Sequence, residues 1–234
     1  MKYEAKNDGS NNAVSTASGS PWVSINWNDA KTKAAAIGSG YHLITEAEWM
    51  TIAANVLSVG SNWQSGTVGS GSTYRGHSDN SPANALAAST NDSDGYNGTG
   101  NTTGEQRRTM TLTNGEVIWD LAGNVWEWTD QTITGNQPGL PTDTGFSWRE
   151  WNNSSLFMNG LGQLSRPESI SAAAKNWSSG NNIGQLNSYV GDTSGRAFRR
   201  GGNWYNSGNA GVTALYLGYA PSNTGTYIGW RAAR

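Results

Sequence analysis

The sequence predicts one α+β domain in which two short helices and several short, twisted antiparallel strands are joined by much irregular loop. Its apolar residues are concentrated in large rings, with 12 Trp and 9 Tyr, and a few buried rings can organise a core beneath loop-rich chain. The 31 Gly, with abundant Asn, Ser and Thr, favour turns held by side-chain hydrogen bonds. A chain of 234 residues fits a single domain.

The first segment, residues 1–20, is polar and rich in Ser and Asn, and it has no apolar core of the kind a signal peptide carries. We therefore expect a flexible lead over residues 1–20 and one domain over residues 21–234. The domain begins with residues 22–25, where apolar and polar residues alternate as in a half-buried strand. No stretch is long and apolar enough to span a membrane.

Two short helices are predicted next. The first begins at an N-cap formed by Asn28 or Asp29, continues through an alanine-rich run to Ile37, and ends at Gly38. The second begins with a capping box, in which Glu48 follows Thr45 by three residues. Behind this box lie apolar residues at helical spacing, which predict one buried face: Trp49, Ile52, Ala53, Val56 and Leu57.

Long irregular segments separate the remaining strands. Residues 61–106 and 129–195 are dense in Gly, Ser, Asn and Thr, and loops of this length in a compact domain often carry function. Between them, Asn114-Gly115 is a hairpin signal flanked by two strand-like runs at 109–112 and 117–119. The C-terminal block contains three further strand-like runs, at residues 197–204, 212–217 and 228–232.

Composition argues against several functional classes. The formal net charge of −2 gives no basic surface that could follow a phosphate backbone, so nucleic acid is not an expected partner. The chain has no Cys, which removes disulfides, thiolate metal sites and Cys nucleophiles together. His42 and His77 are the only histidines, and two widely separated histidines do not make a metal or base constellation.

Three blocks of sequence, in this order, resemble one family. They are Tyr41-His42-Leu43-Ile44-Thr45-Glu46-Ala47-Glu48-Trp49, then Gly123-Asn124-Val125-Trp126-Glu127-Trp128, then Arg200-Gly201-Gly202-Asn203-Trp204 with Ile228-Gly229-Trp230-Arg231-Ala232-Ala233. Together they are similar to the formylglycine-generating-enzyme (sulfatase-modifying factor) branch of the C-type lectin fold. The resemblance covers the chain from about Pro21 to Arg234 and implies that fold.

Within this branch, the C-terminal end resembles the variable proteins of diversity-generating retroelements. In those systems a template RNA is copied with errors at adenines, and the altered copy replaces the 3′ end of the gene. The matching pieces are residues 201–204, 214–215, 220–224 and 228–231, with Trp230 where Phe is usual. The resemblance implies that the positions between these pieces vary and bind ligand: Tyr205, Asn206, Ser207, Thr213, Tyr216, Gly218, Tyr219, Gly225 and Tyr227.

Two observations on these nine positions agree with that implication. Every residue there can be reached from an Asn codon by changing its adenines. The mixture of Tyr, Ser, Gly and Asn also resembles an antibody paratope, in which Tyr supplies a rigid ring and a hydroxyl at low entropy cost. We expect Tyr205, Tyr216, Tyr219 and Tyr227 to be the anchors of a binding face at residues 199–234. The alternative is that they are ordinary surface aromatics.

Buried positions should alternate with this face, because random changes in a core would unfold the protein. Scaffold roles are expected for Trp204, Leu215, Leu217, Trp230 and Arg231. Trp126 and Trp128 are interpreted as core residues and not as a sugar-binding platform. Arg199, Arg200 and Arg231 either pair with carboxylates beneath the face or are solvated charges at its edge.

The resemblance also implies a calcium loop. Carried over to this sequence, its ligands are the side chains of Asp120 and Glu127 and the main-chain carbonyls of Gly123 and Val125, which suits a hard cation that prefers oxygen. The alternative is that Glu127 pairs with a buried Arg such as Arg231 and that no ion is bound. Calcium would be structural, and no other cofactor is expected.

Catalysis of the family's kind is not expected. The oxidase members bind copper through a Cys pair after the Gly-Gly block, and residues 205–210 contain none; iron-dependent relatives need a His cluster. We therefore expect a non-enzymatic recognition domain for a protein or surface ligand, carried on a virion (as a tail protein) or on a cell surface. The sequence does not indicate an oligomeric state, and a monomeric domain is compatible with it. A fixed-specificity lectin or adhesion domain on the same fold is the alternative.

Overall fold

The computed structural model describes residues 1–234 as two α-helices, six short 3₁₀ turns and twelve short strands. Helix α1 is Trp27–Ala35 and helix α2 is Glu46–Leu57. The strands are β1 (Lys6–Asn7), β2 (Ala13–Val14), β3 (His42–Leu43), β4 (Thr109–Thr111), β5 (Val117–Trp119), β6 (Trp126–Thr134), β7 (Ser147–Arg149), β8 (Leu186–Ser188), β9 (Gly195–Gly201), β10 (Gly211–Tyr216), β11 (Ile228–Trp230) and β12 (Ala232–Ala233). The predicted α+β class with two short helices is confirmed.

Local sequence signals decide both helix starts. The capping box of α2 is present, with Thr45 Oγ1 accepting from the Glu48 main-chain N–H at 3.2 Å and Glu48 Oε2 accepting from Thr45 N–H at 2.9 Å. Helix α1 begins earlier than predicted, because Asn26 is its N-cap and accepts from the Asp29 N–H at 2.9 Å. The Asn-Gly hairpin is confirmed, with Gly115 at φ +88° between β4 and β5.

One six-stranded sheet forms the centre, in the order β11-β6-β9-β10-β8-β7. Three of its pairings are antiparallel, whereas β11–β6 and β10–β8 are parallel. The predicted antiparallel strands are therefore present, and the sheet adds two parallel pairs that the sequence did not indicate. Both parallel pairs join strands that are not consecutive in the chain, so no tight turn dictates their relative direction.

The sheet separates two cores. Because successive side chains of a strand point to opposite faces, Phe198 and Leu215 pack toward α2 and the long segment 129–185. Trp126 and Trp128 point to the other face and pack with the buried alanines of α1. The predicted strand at residues 22–25 is wrong, since Ser24 has φ +58° and the segment is irregular.

The expected flexible lead at residues 1–20 is also wrong, because part of it is buried. Ala5 is fully buried and its N–H donates to Trp230 O at 2.8 Å. Lys6 is 3% exposed, and its ammonium group donates to Ala17 O at 3.0 Å. The sequence gives little warning, since the partners of this short polar stretch lie at the other end of the chain. The domain therefore includes residues before Pro21.

Candidate binding face

The C-terminal segment forms two central strands and one edge strand of the sheet, with two loops between them. Strand β9 leads into a turn over residues 202–210, β10 follows, and residues 217–227 cross to β11. Among the nine predicted variable positions, Tyr205 is 45% exposed and Ser207 is also exposed. Six more are partly exposed: Asn206, Tyr216, Gly218, Tyr219, Gly225 and Tyr227. The predicted scaffold residues are buried between them.

Thr213 is the exception, and its placement on the surface is wrong. It is fully buried in β10, and its hydroxyl donates to Ile183 O at 2.7 Å. Its carbonyl accepts from Arg200 Nη1 at 2.9 Å. Strand β10 lies between β8 and β9 in the sheet, so other segments of the chain cover Thr213 on both sides.

The four tyrosines predicted as anchors form one connected aromatic group, here called the tyrosine cluster. Tyr205 and Tyr227 meet edge-on with ring centroids 5.5 Å apart, and Tyr216 and Tyr219 do the same at 5.6 Å. A hydrogen bond between the hydroxyls of Tyr219 and Tyr227 joins the two pairs. Edge-to-face contacts of this kind fix ring orientation beyond what burial alone does. The cluster is therefore arranged without ligand.

Two tryptophans extend the tyrosine cluster at its ends. The Trp204 ring lies 5.6 Å from that of Tyr205 and 6.1 Å from that of Tyr227. At the other end, Trp148 lies edge-on to Tyr216 at 5.8 Å and is stacked on Trp126 at 6.2 Å. Trp148 belongs to β7, and nothing in its local sequence indicated that it borders the face.

Beneath the tyrosine cluster lies the guanidinium group of Arg199. Its central carbon is 3.7 Å from the ring centroid of Tyr219 and 4.3 Å from that of Tyr216. The rings of Trp126 and Trp128 lie below it at 5.5 Å each. Cation–π attraction of this kind is strongest where water is excluded, and Arg199 is only 1% exposed.

The Arg199 guanidinium has aromatic neighbours in place of a carboxylate. Burial lowers its pKa to about 10, and the four tyrosine hydroxyls of the cluster oppose this only in part. Its Nε and Nη1 groups are buried and donate to no acceptor. Arg199 still carries its charge at neutral pH, since a pKa near 10 leaves it protonated there.

The two neighbouring arginines do pair with carboxylates, as one of the sequence alternatives held. Arg200 Nη2 lies 2.6 Å from Glu46 Oε2, and Arg231 Nε lies 2.6 Å from Glu127 Oε2. Both pairs are buried, on the side of the sheet opposite to the tyrosine cluster. The Arg200–Glu46 pair joins β9 to α2, and the Arg231–Glu127 pair joins the residue after β11 to β6.

The predicted calcium ligands do not fit a cation in this structure. Both carboxylate oxygens of Asp120 accept from Arg108, at 2.7 and 2.8 Å, and both oxygens of Glu127 accept from Arg231. Arg231 Nη2 also donates to the carbonyls of Trp119 and Asp120, at 3.1 and 3.2 Å. Guanidinium groups thus supply the positive charge that an ion would bring, and within the predicted set of Asp120, Gly123, Val125 and Glu127 both side-chain carboxylates are occupied.

A third carboxylate, Glu4, lies beside this region. It accepts from Asn124 Nδ2 at 2.6 Å and from the Val125 N–H at 3.3 Å. Burial raises the pKa of Glu4 well above its ordinary value, and the nearby charges of Asp120 and Glu127 raise it further. The lead segment therefore contributes a buried carboxyl group that sequence reasoning missed.

A family model described as "Sulfatase-modifying factor enzyme 1-like domain" matches residues 2–234. Among solved structures, the chain is similar to the I1, M1 and U1 variants of Major Tropism Determinant, with 16%, 19% and 18% sequence identity and TM-scores of 0.39, 0.41 and 0.41. These matches cover 88%, 88% and 91% of this chain, but only 36%, 36% and 42% of those chains. No curated protein matches.

Proposed function

Because the chain belongs to the sulfatase-modifying factor enzyme 1-like domain family, and its C-terminal strands carry one arranged tyrosine cluster, we propose that it is a non-enzymatic ligand-binding protein. The binding face is the surface formed by residues 199–234. Its exposed positions are diversified by adenine-directed retroelement mutagenesis. The observation that carries the proposal is the meeting of all four anchor tyrosines in one partly exposed group.

The division between face and frame supports diversification. Leu215, Leu217 and Trp230 are fully buried, and core changes of this type cost several kcal/mol, whereas exposed changes stay within about 0.5 kcal/mol. Eight of the nine candidate positions avoid the buried frame, the exception being Thr213. Variation at these eight would alter the surface without removing the core.

Two glycines make the face adjustable. A Cβ added at Gly218 would lie 2.6 Å from an outer ring carbon of Tyr216, and one at Gly225 would lie 3.1 Å from the Tyr227 ring. These contacts are with the far ends of side chains and not with the backbone. Substitution at either glycine would therefore re-aim a tyrosine, so that neighbouring positions change the shape of the face together.

The chemistry of the face suits recognition of a protein. Tyr and Trp are enriched at the energetic centres of protein interfaces, because their rings bury much area and lose little conformational entropy. The cluster places Trp148 and Trp204 at the ends of four tyrosines. We infer a protein or surface ligand, met on a virion tail or a cell surface. No helix of the chain combines the length and apolar character needed to cross a membrane.

Catalysis is the less supported function. The oxidase relatives use two thiolates after the Gly-Gly block, and here residues 205–210 read Tyr-Asn-Ser-Gly-Asn-Ala. Amide and hydroxyl groups do not replace soft thiolate ligands for copper. His42 Nε2 donates to the Glu48 carboxylate at 2.9 Å, and His77 lies apart and fully buried.

Two libraries on the intact chain test the binding proposal. The first randomises Tyr205, Asn206, Tyr216, Tyr219 and Tyr227, and the control library randomises Gln64, Thr67, Val68 and Ser70, which are exposed in a loop elsewhere. Both are displayed and selected against the same panel of purified proteins. We expect folded binders from the first library only; equal recovery from both, or loss of folding in the first, would contradict the proposal.

The DNA downstream of the gene tests diversification. A template repeat nearly identical to the codons for the C-terminal segment and differing only at adenines, next to a reverse transcriptase gene, is the expected finding. Its absence would favour the second candidate, a lectin or adhesion domain of fixed specificity on the same fold.

A further inference from the structure

We propose that Arg199 is a ligand-binding residue common to every variant of the binding face and that the ligand supplies to it a carboxylate, from an acidic side chain of a protein partner. This inference rests on the proposed binding function and deepens it. It starts from a buried cation that the protein itself leaves without an anion.

The register of the central sheet places Arg199 in one row across all six strands. Tyr216 is opposite Arg199 on one side and Trp128 on the other. The row continues through Asn187 to Trp148 at one edge, and through Trp128 to Trp230 at the opposite edge. Register partners share a face of the sheet. The guanidinium therefore lies in the middle of the ring-bearing face, and the tyrosine cluster is above it.

Comparison with the other buried arginines in the chain shows that a buried guanidinium without a carboxylate partner is unusual. Arg108 donates to both oxygens of Asp120 and to three main-chain carbonyls. Arg200 and Arg231 each combine a carboxylate with carbonyl oxygens. Arg199 alone among these four has Nε and Nη1 buried without an acceptor. Buried donors are nearly always satisfied in folded proteins, so the missing acceptor is expected from outside the chain.

The charges around Arg199 indicate which kind of acceptor the ligand supplies. The other two cations of β9 are already paired, Arg196 with Asp192 at 2.8 Å and Arg200 with Glu46 at 2.6 Å. A single guanidinium is neutralised by a single carboxylate, which it can bind through two parallel N–H groups. A phosphate dianion would leave excess negative charge among the rings. The apolar walls of Tyr216 and Trp126 suit the methylene groups of an Asp or Glu side chain.

Access to Arg199 is controlled by Tyr219. Its ring covers the guanidinium at 3.7 Å and is held by the hydroxyl of Tyr227. Tyr219 follows β10, and its carbonyl accepts from the Ala197 N–H of β9 at 2.9 Å, so access to Arg199 opens by rotation of the Tyr219 side chain while the main chain stays in place. Because Tyr219 is itself one of the predicted variable positions, each variant of the face would open or close the same fixed cation to a different degree.

Nuclear magnetic resonance of arginine Nε–H groups in the full chain tests the proposal. The probes are the peptide acetyl-Gly-Glu-Gly-amide, its Gln counterpart, glucuronate and inorganic phosphate, each at matched ionic strength. We expect the Arg199 signal to move saturably, in the millimolar range, with the Glu peptide and not with the Gln peptide. Tyr219→Ala should tighten this response several-fold. Arg199→Gln should remove it, and Arg107→Gln, which alters an arginine away from the face, should leave it unchanged.

Each other outcome is informative. An Arg199 signal that ignores the Glu peptide in both the parent and Tyr219→Ala would overturn the proposal and leave Arg199 as a support for the rings. A response to glucuronate or phosphate alone would overturn the acidic side chain as the source. If Arg199→Gln fails to fold, the parent and Tyr219→Ala still decide. Binders selected from the face library without any carboxylate response would refute this inference and leave the binding function standing.

Discussion

Removing the carboxylate of Glu127 separates the two interpretations of the segment from Asp120 to Glu127. Glu127 is fully buried, and its oxygens accept from Arg231 Nε at 2.6 Å and from Arg231 Nη2. In Glu127→Ala the guanidinium of Arg231 stays buried and keeps only its main-chain acceptors. Removing one partner of a buried ion pair costs about 3–5 kcal/mol. In a chain of this size that corresponds to a fall in melting temperature of about 6–20 °C.

The assay is urea unfolding of the parent, of Glu127→Ala and of the double variant Glu127→Leu with Arg231→Met. The double variant should recover most of the loss, because replacing both charges with apolar groups avoids an unpaired buried charge. Asp130→Ala is the matched control, since it breaks a half-exposed pair with Lys31 and should cost at most about 1 kcal/mol. A loss in Glu127→Ala no larger than in this control would refute the reasoning.

Calcium gives the same variants a second readout. With both carboxylates occupied by arginines, we expect no heat of calcium binding to the parent and no rise in its melting temperature in calcium chloride. Calcium that stabilises the parent and fails to stabilise Glu127→Ala would restore the calcium loop implied by the family resemblance.

Four further substitutions test the face and the lead segment. Thr213→Tyr should destabilise the protein by about 2 kcal/mol or more, because it forces a ring into a closed site and removes the hydrogen bond to Ile183 O; Tyr205→Ala should cost less than about 1 kcal/mol in the same thermal melts. Glu4→Gln should weaken the loss of stability that the parent shows between acid and neutral pH, because burial raises the Glu4 pKa and the Gln side chain does not titrate. The sign follows because a raised folded pKa stabilises the fold below the unfolded value near 4.5, and this stability is lost as the pH rises through the folded pKa; an unchanged pH dependence in urea unfolding would contradict this. Trp148→Ala should weaken binding of any protein selected on the face library while leaving the fold intact, as measured by titration and circular dichroism, and unchanged affinity would place Trp148 outside the face.

The variable positions show how far sequence reasoning reaches. The burial of Leu215 and Leu217 on either side of the partly exposed Tyr216 follows from alternation along the chain. Thr213 was placed on the face only because it lies between the matching pieces of the family pattern, and this was wrong, since its hydroxyl is covered by Ile183 of a distant segment. Whether a position in a central strand is open depends on its neighbours across the sheet, and the sequence does not name them.

The sequence by itself determined the features whose interacting groups lie within a few residues of each other. The Thr45–Glu48 capping box and the Asn114-Gly115 hairpin are of this kind, and so are the family motifs. Only the tertiary structure decided which side chains meet across the sheet. It placed Trp148 at the edge of the tyrosine cluster and paired Arg231 with Glu127 and Arg108 with Asp120. It also placed the Arg199 guanidinium among aromatic rings and not beside a carboxylate. Strand order and register set these contacts between residues that are far apart in the chain. The residues next to each of them in sequence therefore do not indicate which partner it meets.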